Sequence, residues 1–362
     1  VRDHLLSLQR WRPTALTSWR TPDALEVPGV PVREARERAL AARVRSRLPE
    51  RVAGSLEDRQ ERQLRSALRA LRPDVLHAHF GTDAAVVGPV AAELGIPLVV
   101  TWHGYDATLH DEALASSTSG RLLLERRAQL LASAAGTIAV SGFIAAELAR
   151  KGADPGAIDV IACGVDTERV VWTPPPATGG LLFVGRLVEK KGLADLLDAL
   201  AGLASPPPLT VVGDGPLRER LEQRARDQRV DARFLGTRTS DEVRAAMREA
   251  QAVVIPSRRA ANGDCEGLPV VSLEAAASGR PVIAYAHSGL VESVLDGTTG
   301  LLAPEGDVAA LAAAVEEVGA DADLRAAFGL AAREHAVRSF DIRVTTARIE
   351  QVYDRARAAG AS

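Results

Sequence analysis

Cysteine is almost missing from this chain: its 362 residues include two, Cys163 and Cys265. Two are too few for a disulfide framework and fit a reducing cytosol, where both thiols read as small space-filling residues. No apolar run approaches the ~20 residues of a membrane-spanning helix, and no signal segment is evident. Lysine is scarce too, with only Lys151, Lys190 and Lys191 among 44 basic residues. A net charge of −3 gives no global pull toward nucleic acid. Metal-ligand spacing is also lacking. The one Asp-x-Asp, Asp321-Ala322-Asp323, falls at an apparent helix start, where capping accounts for it. His77 and His79 share a strand face but have no third and fourth ligand nearby in sequence. Gly213-Asp214-Gly215-Pro216 lacks the third glycine of a dinucleotide fingerprint, which sets aside an NAD-dependent oxidoreductase.

What is present reads as two α/β domains, which this length accommodates. Strand-like and helix-like segments alternate, predicting parallel sheets with crossover helices. The first strands fall at residues 14–17, 75–79, 98–102, 137–140 and 159–162. A Pro-rich stretch from Thr173 to Gly180 has linker composition. A second series follows at 181–184, 209–212, 232–235, 252–255, 282–284 and 300–302. The expected division is a first domain over 1–172, a second over 173–340 and a closing segment, 341–362, whose helix crosses back. Charge is uneven. Up to Arg72 there are sixteen arginines against nine acids, much of the surplus on predicted helices at 33–47 and 56–71. Such helices suit a solvated face or, less directly, peripheral contact with an anionic membrane surface.

Two segments carry chemistry. Glu266-Gly267-Leu268-Pro269 precedes a helical pattern that holds Glu274. Pro269 fits the first helical turn and Gly267 allows close backbone approach. Free amides at such a start attract a phosphate or a sugar hydroxyl, and the two carboxylates reach different parts of one ligand. Upstream, the strand Leu181–Val184 runs into Gly185-Arg186-Leu187-Val188-Glu189-Lys190-Lys191-Gly192. This turn sets Arg186 and Lys191 at the carboxyl end of a strand, where ligands of parallel sheets bind.

Together these segments resemble the retaining, GT-B-fold glycosyltransferases of family 4. The likeness continues through Val211–Pro216, Phe234-Leu235-Gly236, Ser288-Gly289-Leu290 and Asp296–Leu302. Asp74–Gly81 and Thr101–Asp106 are similar to the exopolysaccharide subgroup, including colanic-acid-type enzymes. The resemblance implies two Rossmann-like doubly wound domains facing a cleft, and a sugar-nucleotide donor (UDP- or GDP-sugar) with no cofactor and no bound metal. It implies that Arg186 and Lys191 bind the donor diphosphate, aided by amides at Gly267 and Leu268. Glu266 would contact the donor sugar, Glu274 the ribose, and the backbone at Leu235 the base. His103 would lie near the transferred sugar, Asp106 would orient His103 or bind acceptor, and His79 and Gly81 would lie on the acceptor side. The acceptor would be a glycan or lipid-linked sugar, in the cytoplasm or on the inner face of the membrane. The family normally opens with a strand and a Gly-rich loop, whereas Val1–Leu6 already reads as the helix after it. A missing first strand and a sheet edge are therefore expected, and a non-catalytic shell that binds sugar nucleotide or glycan is the alternative.

Overall fold

The computed structural model describes residues 2–17, 29–34 and 50–360. Short strands β1 (Ala15–Thr17) and β2 (Val32–Glu34) pair in parallel as a separate two-stranded sheet. The strand at Val32–Glu34 corrects the helix expected from Arg33. Pro31 and the β-branched Val32 favour extended backbone, and Ala15 N–H donates to the Pro31 carbonyl (2.8 Å). The rest of that expected basic stretch, residues 35–47, lies outside the described residues. The second one is part of a helix, Glu50–Leu71.

β3 (Leu76–His79), β4 (Leu98–Trp102), β5 (Gly136–Ala139) and β6 (Ile158–Val160) form a fully parallel sheet in chain order. β3 is an edge of that sheet, bonded to β4 alone. β4 is buried at every position, as expected of a strand covered on both faces by helices. β7 (Leu181–Val184), β8 (Leu209–Val212), β9 (Ala232–Gly236), β10 (Ala252–Ile255), β11 (Val282–Tyr285) and β12 (Gly300–Ala303) form a second parallel sheet, ordered β12-β11-β10-β7-β8-β9. The two halves make up a GT-B arrangement of Rossmann-like units facing each other.

That second strand order matters most for function. The chain runs outward from β7 through β8 and β9, then returns to the other side of β7 with β10. The reversal leaves a crevice beyond the carboxyl ends of β7 and β10, the topological switch point where doubly wound sheets bind ligands. Gly192, after β7, has φ +67, and a Cβ there would lie 1.8 Å from the carbonyl oxygen of Pro256, after β10. Only glycine fits this left-handed position with the two loops so close.

The halves are also joined by burial. The apolar cluster around Trp102, Leu123 and Ile144 continues into Leu268, Leu273, Ala276 and Phe340. The helix Ile342–Gly360 lies on β4 and β5, where Ile349, Val352 and Ala356 pack with Val99, Ile138 and Ile161. Its outer side holds the first helix, Arg2–Ser7, through His4 and Thr346. Gly192→Ala is expected to lower stability by at least about 2 kcal/mol in urea unfolding, since it combines left-handed strain with a carbonyl clash.

Candidate active site

The turn after β7 tightens into one 3-10 turn, Glu189–Lys191, ended by Gly192. All three of its side chains reach across the switch point to the loop after β10. Glu189 Oε1 accepts from Ala261 N–H (3.1 Å), and Lys190 Nζ donates to Asp264 Oδ1 (2.9 Å). Lys190 Nζ also stands 3.4 Å from Glu266 Oε1, and Lys191 Nζ 3.2 Å from the same oxygen. These last two are ion-pair contacts and not aligned hydrogen bonds, which leaves the buried Glu266 Oε1 without one. Burial alone would raise the Glu266 pKa, but Lys191 and then Lys190 outweigh it and hold the carboxyl below its ordinary value. Arg186 is exposed, and its guanidinium has no hydrogen bond or ion pair among the described residues. Arg186, Lys190 and Lys191 thus face Glu189, Asp264 and Glu266, three cations against three carboxylates, and of the cations Arg186 is the one left unpaired.

The first half contributes the ends of its strands. β3 ends at His79, and His103 and Gly104 follow β4. Asp106 ties them together: Gly81 N–H donates to Oδ2 (2.8 Å), while Gly104 N–H (2.9 Å) and His103 N–H (3.2 Å) donate to Oδ1. The Asp106 side chain is fully enclosed, and burial pushes its pKa up against those three donors. Gly81 is enclosed as well; a Cβ there would lie 2.2 Å from the Trp102 ring. Both residues therefore hold the loop in place. The side chains presented at this end are His79 and His103, whose Nδ1 and Nε2 lie 3.1 Å apart. Burial lowers both, His103 to about 4 and His79 well below its ordinary value, so both rings are neutral at pH 7.

The halves meet at Gly267. A Cβ on Gly267 would lie 2.0 Å from the His103 carbonyl oxygen, and one on Gly104 would lie 3.2 Å from Gly267 N. The Gly267 carbonyl accepts from Ser141 Oγ (2.9 Å) of the first half and from Gly289 N–H (3.0 Å) of the second. The amides of Gly267 and Leu268 have no partner among the described residues. Thus His103, Glu266, Gly267, Leu268 and Lys191 share one junction. Pro269 is the cap residue before the helix Val270–Ala277 and not its first helical position, because its ψ of 113 is extended. Glu274 lies half-buried one turn into that helix. Leu235, near the end of β9, packs against the apolar cluster that includes Val212 and Met247.

Sequence reasoning passed over three contributors. Lys190 was visible as one of the two lysines in the turn, and Asp264 stands two residues before Glu266, the spacing that puts two side chains on one side of an extended segment. Glu292 had no such signal. Its carboxylate caps the first-half helix Gly142–Arg150 from the second half, accepting from Gly142 N–H (3.1 Å) and Phe143 N–H (3.3 Å). Among the described residues, no group of three or more His, Cys, Asp or Glu side chains is placed to hold a metal ion. No helix among them is long and apolar enough to cross a membrane.

Two Rossmann-like units meeting through their strand ends, with cations on one side of the junction and imidazoles on the other, define a GT-B glycosyltransferase. Comparison with known proteins agrees. The family described as Glycosyltransferase Family 4 matches residues 15–169, and the family described as Glycosyl transferases group 1 matches residues 166–335. The glycogen synthase of Mycobacterium tuberculosis is 33% identical over 79% of this chain and 69% of its own length. The putative colanic acid biosynthesis glycosyltransferase WcaL of Salmonella typhimurium is 33% identical over 67% of this chain, which spans 61% of that relative. The Anabaena protein HepE, solved in complex with UDP-glucose, superposes with a TM-score of 0.71 at 20% identity, over 90% of this chain and 86% of its own. The chain belongs to the family 4 glycosyltransferases.

The charge pairing fixes a pH dependence. Because the folded Glu266 pKa is depressed, its contribution to stability is present above the ordinary carboxylate pKa and is lost as pH falls through the folded value. In Lys191→Met the Glu266 carboxyl keeps its burial but loses its nearer cation, so its pKa rises toward or above the ordinary value. Carbon-13 titration of the carboxyl carbon reads this directly.

Proposed function

We propose that the chain is a retaining glycosyltransferase that moves a sugar from a nucleoside diphosphate to a glycan or lipid-linked acceptor, in exopolysaccharide or cell-envelope assembly. The observation that carries this reading is the Lys191–Glu266 pair spanning the β7/β10 switch point, against the His103–Gly104 turn of the other half. The relatives support it. Two are a glycogen synthase and a putative colanic acid transferase, and a structural neighbour was solved with UDP-glucose.

In this reading the chemistry is mainly electrostatic. Departure of a nucleoside diphosphate leaves negative charge on the pyrophosphate while the sugar becomes oxocarbenium-like. Arg186, unpaired and exposed, grips the phosphates with its planar fork, and Lys191 adds a compact charge. The unbonded amides of Gly267 and Leu268 supply fixed dipoles at the same place. The unpaired guanidinium of Arg186 beside these donors suits an anion. These cations take the role a divalent ion plays in other transferases, so a protein-bound metal has no part in the proposal. Glu266 contacts the hydroxyls of the donor sugar and Glu274 those of the ribose, with the backbone at Leu235 beside the base. No carboxylate is assigned as a nucleophile. The acceptor hydroxyl attacks from the face the leaving group departs, and a donor phosphate oxygen takes its proton.

Arg186→Ala and Lys191→Ala are each expected to lower kcat/KM by about 100-fold or more, with circular dichroism unchanged. Turnover is expected to persist in EDTA. The assay is release of free nucleoside diphosphate from UDP- and GDP-sugars, and wild-type rates in both variants would defeat the phosphate assignment.

A further inference from the structure

His103 is held at three points. Its N–H is bound by Asp106, its carbonyl packs against Gly267, and its ring meets one polar partner among the described residues, His79. Among the described residues no carboxylate or backbone carbonyl orients this imidazole, the usual arrangement for a histidine whose tautomer matters. Asp106 stands closest in sequence, but its oxygens are taken by three backbone amides.

His79 is itself fixed from beneath. It stacks on His77, ring centroids 4.3 Å apart at 27°. Both nitrogens of His77 are engaged, Nδ1 with Tyr353 Oη (2.6 Å) and Nε2 with Thr101 Oγ1 (2.7 Å). Tyr353 comes from the helix Ile342–Gly360, so that helix supports the platform. Phe80 closes the other side, its ring centroid 4.5 Å from that of His103.

From this chain of contacts we infer that His79 is a positioning residue that fixes the ring and tautomer of His103, leaving His103 Nδ1 as an acceptor for a hydroxyl of the transferred sugar. The inference rests on the functional reading above for the sugar, but the tautomer itself does not. Between two neutral imidazoles, one nitrogen must carry a proton and the other a lone pair. Imidazole favours the Nε2–H form. If both rings adopt it, His103 Nε2–H donates to the bare Nδ1 of His79, and neither ring is forced into its minor form. The reverse direction needs His79 protonated on Nδ1 and His103 bare on Nε2, which places both in the minor form. Burial keeps both rings uncharged, so one proton stays in the contact.

The test is long-range nitrogen–proton NMR on 15N-histidine-labelled protein, paired with kinetics. Wild-type His103 is expected as the Nε2–H tautomer. His79→Ala should give a mixture of tautomers and a kcat lower by about tenfold or more, with the donor KM within about twofold, as expected when a reacting group loses orientation. His79→Asn keeps a polar atom near the position of Nδ1 and should recover part of both. A wild-type spectrum showing His103 as Nδ1–H overturns the inference without any variant. So does a His79→Ala protein with unchanged tautomer and unchanged kcat. A wild type that neither binds nor turns over sugar nucleotides would defeat the functional reading instead, while an Nε2–H spectrum would still support the positioning role.

Discussion

The close approach of two backbones at Gly267 is the constraint on which the site depends. The His103 carbonyl occupies the space where any side chain at 267 would stand, and the Gly267 carbonyl takes bonds from Ser141 of one half and Gly289 of the other. Because three segments share one glycine, Glu266 and the amides that follow it are fixed relative to both sheets at once. Displacing that contact would separate the cations from the imidazoles. Arg259 to Glu147 (2.8 Å) and Glu292 to the Gly142–Arg150 helix reinforce the same junction from its flanks.

The second sheet's order explains why charged groups gather there. A strand order that reverses beside its first strand opens a crevice between two loops, and both loops can fill it from opposite sides. Here one loop brings Glu189, Lys190 and Lys191, and the other brings Ala261, Asp264 and Glu266. Their mutual pairing holds the two loops together. Two half-buried lysines flanking two half-buried carboxylates would be costly to desolvate if either sign were in excess. Near-balance inside, with Arg186 unpaired outside, gives a site that is stable alone and still attracts an anion.

Much of this was legible from residues alone. The strands of both sheets fall within a residue or two of their predicted bounds, because parallel strands buried on both faces read as continuous apolar runs. The Gly185–Gly192 turn and the Glu266–Glu274 segment were visible through glycines and unusual lysines. The errors have physical reasons. Val32–Glu34 pairs with a strand some fifteen residues earlier, and such pairing outweighs the helical look of the arginine-rich sequence that follows. Of the two readings of Asp106, orienting His103 or binding acceptor, the structure shows a carboxylate turned inward to three amides, that of His103 among them, which depends on where the Gly81 helix start and the β4 turn come together. Glu292 acts across the junction, a contact no local pattern encodes.

The division of labour between the halves follows from these placements. The second half carries fixed charge: three cations, three carboxylates and two unbonded amides where the loops after β7 and β10 meet. The first half presents neutral imidazoles at the junction and buries the carboxylate nearest to them. A sugar nucleotide has the same asymmetry, anionic at its pyrophosphate and uncharged at its sugar. In the functional reading proposed above, Glu266 meets the hydroxyls of the sugar from the second half and the imidazoles meet it from the first. The neutral rings, fixed by stacking and by the hydroxyls of Tyr353 and Thr101, then add directional hydrogen bonding without adding further charge beside an oxocarbenium-like centre.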